Sequence, residues 1–163
     1  MLELIRNKIE FDGFKAEFED HFVEEANHEE SLTVPIIRSL NDDDESEDLH
    51  YDEKAPSFPL AQSFAYVAEK ELSGYLARLQ YLAVYYKRKH TAHYSGKYYE
   101  GKDRFMVALQ GEATLRSGGM QEPARPGEMW WFDITKEHSI LNTGKSHFVG
   151  LVFDLHNSDW REQ

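Results

Sequence analysis

The chain contains no cysteine. That excludes disulfides, thiolate metal sites, iron–sulfur clusters and cysteine nucleophiles together. Any metal must then be held by nitrogen and oxygen, and the eight histidines become the residues to watch. Cations are also scarce: 18 lysines and arginines against 30 acids give a formal net charge of −12. A field of that sign repels phosphate backbones and anionic lipid headgroups, so nucleic-acid and membrane-surface partners are not expected. No stretch reaches the ~18 continuous apolar residues of a membrane span. The first residues, with Asp12, Glu17 and Glu19 close behind them, contain no apolar run of signal-peptide length. The expectation is a soluble cytoplasmic protein without internal repeats.

What is present is enough for one domain spanning residues 1–163, with a normal globular share of 40% hydrophobic residues. Residues 1–75 read as a helical and edge-strand region. Phe14, Phe18, Phe22 and Ala26 recur at four-residue spacing, which predicts an amphipathic helix over 13–29 with Gly13 near its start. Residues 32–40, with Val34, Ile36 and Ile37, read as a strand that Pro35 would place at a sheet edge. Residues 41–53 carry eight acids in thirteen positions. They lack the glycine turn and closing glutamate of an EF-hand, so a solvated loop is expected. A second helix is predicted over 60–72, with Phe64, Val67, Ala68 and Leu72 on one face and Gly74 as its stop.

After Gly74 the texture changes. Residues 76–89 alternate, with Leu79, Tyr81, Ala83 and Tyr85 on one side. Short β-rich runs follow at 104–110, 112–116, 128–132, 138–142 and 148–155, separated by Gln110-Gly111, Ser117-Gly118-Gly119, Pro126-Gly127 and Asn142-Thr143-Gly144. Such spacing predicts an antiparallel sandwich or barrel over 76–155.

The chemistry-bearing residues lie in this half. His138 opens a strand after the Pro126-Gly127 turn and the aromatic run Trp130-Trp131-Phe132-Asp133. Alternate residues of a barrel strand face inward, so His138 can point an imidazole into a cavity. His90 and His93 supply two further candidates upstream. Neutral imidazole suits divalent iron, manganese or zinc. Taken alone, His138 reads more readily as a hydrogen-bonded core or rim residue, and His90 and His93 fit an exposed basic stretch beside Lys87, Arg88 and Lys89 as well as they fit a metal.

From His90 to Asp154 the chain resembles the aspartyl/asparaginyl β-hydroxylase-like family of Fe(II)- and 2-oxoglutarate-dependent oxygenases. The matching pieces are Gly96-Lys97-Tyr98-Tyr99, Asp103-Arg104, Gly118-Gly119, the series from Pro126 to Asp133, His138 with Asn142, and Leu151 to Asp154. The resemblance implies a mainly β fold: a double-stranded β-helix, jelly-roll or cupin-like, with two flanking N-terminal helices. It also implies His138 as the downstream iron ligand, and His90 (next choice His93) as the upstream one. Arg104 matches the arginine that contacts 2-oxoglutarate, a role suited to a guanidinium that binds carboxylate bidentately. The implied activity is hydroxylation of an amino acid or peptidyl side chain, with Tyr98, Tyr99, Trp130 and Trp131 at the mouth.

Three departures from the family stand out. Ala92 and Ser95 stand where an aspartate follows the first histidine. Met106 stands where a histidine is common, and Phe148 where a second arginine would be, with Lys145 and His147 as neighbouring substitutes. Two other readings therefore stay open. One is a cupin-like enzyme with three ligands, His90, His93 and His138, that does not use 2-oxoglutarate. The other is a non-catalytic barrel that binds a small molecule or a protein.

Overall fold

The computed structural model describes residues 2–21, 30–39, 49–92, 101–156 and 158–162. In chain order the elements are β1 (Leu2–Arg6), α1 (Lys15–Phe18), β2 (Ser31–Ser39), β3 (Leu49–Tyr51), α2 (Pro59–Glu71), β4 (Tyr75–Val84) and β5 (Lys89–Ala92). β6 (Lys102–Gln110), β7 (Ala113–Ser117), β8 (Met120–Ala124), β9 (Met129–Phe132), β10 (His138–Asn142) and β11 (Phe148–His156) follow. Two sheets result, ordered β1-β9-β6-β11-β4-β2-β3 and β5-β10-β7-β8.

The last eight strands define the architecture. β4 pairs with β11, β5 with β10, β6 with β9 and β7 with β8, all antiparallel. First thus pairs with last, second with second-last, and so inward, while successive strands cross between the sheets except at the innermost β7–β8 hairpin. This nested pairing is the double-stranded β-helix, or jelly-roll, of cupin-like barrels. β1 extends the larger sheet at β9, and β2 and β3 extend it beyond β4.

Two cores explain the strand sequences. One lies between the two sheets and contains Leu82, Val84, Met106, Ala108, Leu115, Trp130, Phe132, Ile140 and Phe148. The other lies on the far face of the larger sheet, where Leu79, Tyr81, Phe105, Val107, Leu151 and Phe153 meet Phe58, Ala61, Ala65 and Ala68. The central strands β6 and β11 are buried on both faces and read as continuous apolar runs. β7 and β10 have one face toward solvent and alternate. Gly111 holds φ +78 between β6 and β7, and a Cβ there would sit 2.8 Å from the His147 carbonyl oxygen. Only glycine meets both demands.

Several expectations change. The alternating stretch 76–89 is broken: β4 ends at Val84, Lys87 takes φ +61, and the chain crosses to the other sheet before His90. The side read as Leu79, Tyr81 and Ala83 faces the helix layer, whereas Gln80, Leu82 and Val84 face the barrel. Of the helix expected over 13–29, α1 covers Lys15–Phe18 and a 3-10 turn covers Glu19–His21, while 22–29 lies outside the described residues. β3 pairs only with Ile37–Ser39, so at Pro35 β2 is paired with β4 alone and that part of the strand is at the sheet edge, with Pro35 at a register irregularity against β4. In α2 the buried stripe is Ala61, Ala65, Ala68 and Leu72, leaving Val67 54% exposed. Small alanines let the helix approach the sheet closely, so the stripe turns away from Val67. The left-handed residue after α2 is Ser73, φ +51, not Gly74, whose Cβ position would crowd Leu155 and Ser158 at 3.0 Å. Of the acidic segment, 49–51 forms β3 and 41–48 lies outside the described residues. β1 and β8, each five residues long, escaped the reading altogether. Among the described residues no helix is long and apolar enough to cross a membrane.

Candidate metal and ligand site in the barrel

β10 alternates strictly, with His138, Ile140 and Asn142 buried and Ser139 and Leu141 half-buried. Directly opposed residues of an antiparallel pair share a face, and Ile140 lies opposite His90 of β5. His90 and His138 therefore project from neighbouring strands onto the same inner face, one step apart along the barrel. Both line one cavity. Asn142, four residues beyond His138, works elsewhere: its Nδ2 donates to the Val84 and Ser146 carbonyls at 2.9 and 2.8 Å, and its Oδ1 accepts from the Gly144 N–H. It staples the β10–β11 loop.

The two imidazoles are oriented by their Nδ1 atoms. His138 Nδ1–H donates to the Lys136 carbonyl at 3.2 Å. A carbonyl can only accept, so this bond puts the proton on Nδ1 and leaves a lone pair on Nε2. His90 Nδ1 is hydrogen-bonded to Ser31 Oγ of β2 at 2.9 Å. Burial, and then the neighbouring Arg104 guanidinium, hold the His90 pKa below its ordinary value, which keeps the ring neutral. Neutral rings held through one nitrogen are what metal ligation requires.

The facing wall comes from the larger sheet. Cross-strand pairing aligns Arg78, Asp154, Arg104 and Phe132 in one row across β4, β11, β6 and β9. The next row inward is Gln80, Val152, Met106 and Trp130. In the first row Arg104 grips Asp154 with both arms of its fork, Nε to Oδ1 at 2.7 Å and Nη2 to Oδ2 at 2.8 Å. Arg104 is 9% exposed and Asp154 fully buried. Between the walls lies a small cavity of about 20 Å³, room for about one water molecule. Its polar lining is Gln80, His90, Arg104 and His138; Leu82, Met106, Phe132, Ile140 and Val152 complete it.

The structure thus brings His90, His138 and Arg104 together. His93, Tyr98 and Tyr99 lie outside the described residues. Trp130 is buried in the inter-sheet core, whereas Trp131 turns outward to Asp103, Trp160 and Arg161. Phe148 is fully buried in the inter-sheet core, six residues along β11 from Asp154. His147 sits outside the strand, accepting the Tyr86 N–H at its Nδ1. Sequence reading missed Arg78, Gln80 and Ser31. A signal for the first two existed, since they are the polar positions on the side of β4 opposite Leu79 and Tyr81.

Two imidazole nitrogens supply two of the three ligands of a facial metal set. Among the described residues no group of three histidines, aspartates or glutamates could hold a metal ion. A third ligand would come from His93, water or the substrate.

No family model matches the chain, and no curated protein does. Solved structures do. A cupin_2 domain of an XRE family transcriptional regulator from Enterobacter cloacae aligns at 12% identity and TM-score 0.47, over 78% of this chain and 97% of that one. A predicted oxalate decarboxylase from Thermotoga maritima aligns at 18% identity and TM-score 0.44, over 66% and 76%. The plu4264 protein from Photorhabdus luminescens aligns at 17% identity and TM-score 0.42, over 47% of this chain and 60% of that one. The matched region thus spans less than two thirds of the Photorhabdus protein. The nested strand order, not these likenesses, establishes the fold: a cupin-like double-stranded β-helix.

Proposed function

We propose that the chain is a cupin-type metalloenzyme. His90 and His138 hold one divalent metal ion through Nε2, and a small molecule or a peptide side chain reaches that ion from the open side of the barrel. The observation that carries this reading is the pairing of two inward histidines on adjacent strands, each with Nδ1 already hydrogen-bonded. The Lys136 carbonyl and Ser31 hydroxyl fix the rings, so little orientation entropy is lost on ligation. With two neutral protein ligands, the full positive charge of the ion stays at the site, and an anionic or chelating group of the substrate completes the set. A bound ion would supply Lewis-acid or redox chemistry there. Leu82, Met106, Phe132, Ile140 and Val152 exclude water around the reacting group.

Hydroxylation with Fe(II) and 2-oxoglutarate, as in the aspartyl/asparaginyl β-hydroxylase-like family, is a second reading. It is favoured by Arg104 in the wall of the same cavity. Against it, Nε and Nη2 of Arg104 are committed to Asp154, and Phe148 offers no second cation. We therefore place the metal site ahead of the cosubstrate.

Anaerobic titration with Fe(II), followed by 2-oxoglutarate, tests both. Stoichiometric Fe(II) uptake, lost in His138→Ala, is the expected result. A visible charge-transfer band on adding 2-oxoglutarate would establish the second reading. No metal uptake by the wild-type protein would overturn the proposal and leave a non-catalytic binding barrel.

A further inference from the structure

The metal reading leaves the third place of a facial set to His93, water or the substrate. The void between the walls offers another source. At about 20 Å³ it has room for one water molecule, hence for a single ion but no organic group. An occupant that small is met by several lining side chains at once. Arg104 is turned to Asp154 through Nε and Nη2, and Leu82, Met106, Phe132, Ile140 and Val152 bring neither nitrogen nor oxygen. His90, His138 and Gln80 remain. Gln80 comes from the opposite wall: it stands on β4, pairs with Val152 of β11, and lies on the barrel side of the larger sheet. The histidines reach the same void from β5 and β10 of the smaller sheet. Nitrogen donors on one sheet thus share a one-water void with an amide on the other. Among the lining residues, Gln80 has the one side-chain oxygen.

We infer that Gln80 is the third protein ligand, its Oε1 joining Nε2 of His90 and Nε2 of His138 on one divalent ion. A carboxamide oxygen is a neutral donor that divalent cations accept, and imidazole suits iron, manganese and zinc. In open iron sites with two histidines the third ligand is a carboxylate. A carboxylate at position 80 would share this small void with the Arg104 guanidinium and compete with Asp154 for it. A neutral oxygen leaves that pair intact. All three ligands are then neutral, so the ion keeps its full charge for an anionic substrate group. This inference rests on the metal reading above and names the side chain that completes its set.

Zn(II), which is redox-silent, is the probe. Competition with a chromogenic chelator gives its affinity for the full-length wild type, Gln80→Leu and Gln80→Glu, with His138→Ala as the baseline for uptake elsewhere on the chain. Gln80→Leu should bind at least about tenfold more weakly, the least that even an outer partner of a ligand costs. Gln80→Glu keeps an oxygen at the same reach and should retain most of the affinity, which guards against a leucine variant that misfolds. A direct readout comes from NMR of uniformly ¹³C,¹⁵N-labelled protein. The side-chain carboxamide signal that is missing in Gln80→Glu belongs to Gln80, and it should move as Zn(II) is added. Gln80→Leu binding as tightly as wild type, or a Gln80 signal unmoved at saturation, overturns the inference and leaves the two-histidine site standing. Equal weakening in both variants also overturns it, because an oxygen at that position would then carry no weight. No uptake by the wild type above the His138→Ala baseline overturns both proposals.

Discussion

Arg104 and Asp154 meet fork to fork across adjacent strands, with Nε–Oδ1 at 2.7 Å and Nη2–Oδ2 at 2.8 Å, and Asp154 has no exposure to solvent. The pair closes the row at one end of the cavity and removes the arginine's fork from the ligand's reach. It also joins β6 to β11, the two central strands of the larger sheet.

Removing one partner should therefore be far more damaging than removing both. Arg104→Met takes from the buried Asp154 carboxylate the guanidinium fork that grips it, and a loss of about 3–5 kcal/mol is expected from such breakage. The double variant Arg104→Met with Asp154→Leu should recover much of that. Urea unfolding of the three variants measures it; equal stability of Arg104→Met and wild type would show that the pair does not form.

Ser31 holds His90 from a strand that lies in the opposite sheet. Ser31→Ala should leave the fold intact and weaken metal affinity by about 10–100-fold, the usual effect of losing a partner that orients a ligating imidazole. Competition with a metallochromic chelator reads the change. Threonine at this position retains the hydroxyl and should restore most of the affinity.

His90 should titrate below 6.5 in the metal-free protein, because burial and Arg104 both disfavour its charged form. The sign follows from linkage. The unfolded chain binds the proton more readily, so the stability contributed by a neutral His90 is complete above pH ~6.5 and is lost as pH falls toward the folded-state pKa. Imidazole resonances followed by NMR from pH 8 to 5 give the midpoint. A His90 midpoint at or above 6.5 would contradict the buried, neutral ring.

Glu17 links three elements. Its carboxylate accepts the Leu60 and Ala61 N–H groups at the start of α2 and the Tyr81 hydroxyl from β4 at 2.8 Å. It thus caps the helix from a distance in sequence, while burial and the carboxylate together hold Tyr81 in its neutral form. Glu17→Ala should cost about 1–3 kcal/mol through lost capping and an unpaired buried hydroxyl. Cavity binding should be unaffected, because Tyr81 faces the helix layer.

The sequence by itself determined the class of the C-terminal half. Strict alternation in β10 and the glycine turns are local signals, set by backbone sterics and the two-residue repeat of a pleated strand. They located His138 and its inward direction without any partner in view. Where both faces of a strand are buried, the alternation vanishes, so β6 and β11 showed only that they were strands. Which face of β4 looks into the barrel was also beyond local reach. Leu79 and Tyr81 are as apolar as Leu82 and Val84, and only the packing of α2 against one side decides that Gln80 faces the cavity. Tertiary structure alone set Arg104 against Asp154, Ser31 against His90 and Glu17 against Tyr81. These pairs are separated by 50, 59 and 64 residues, and no local rule couples groups so far apart along the chain.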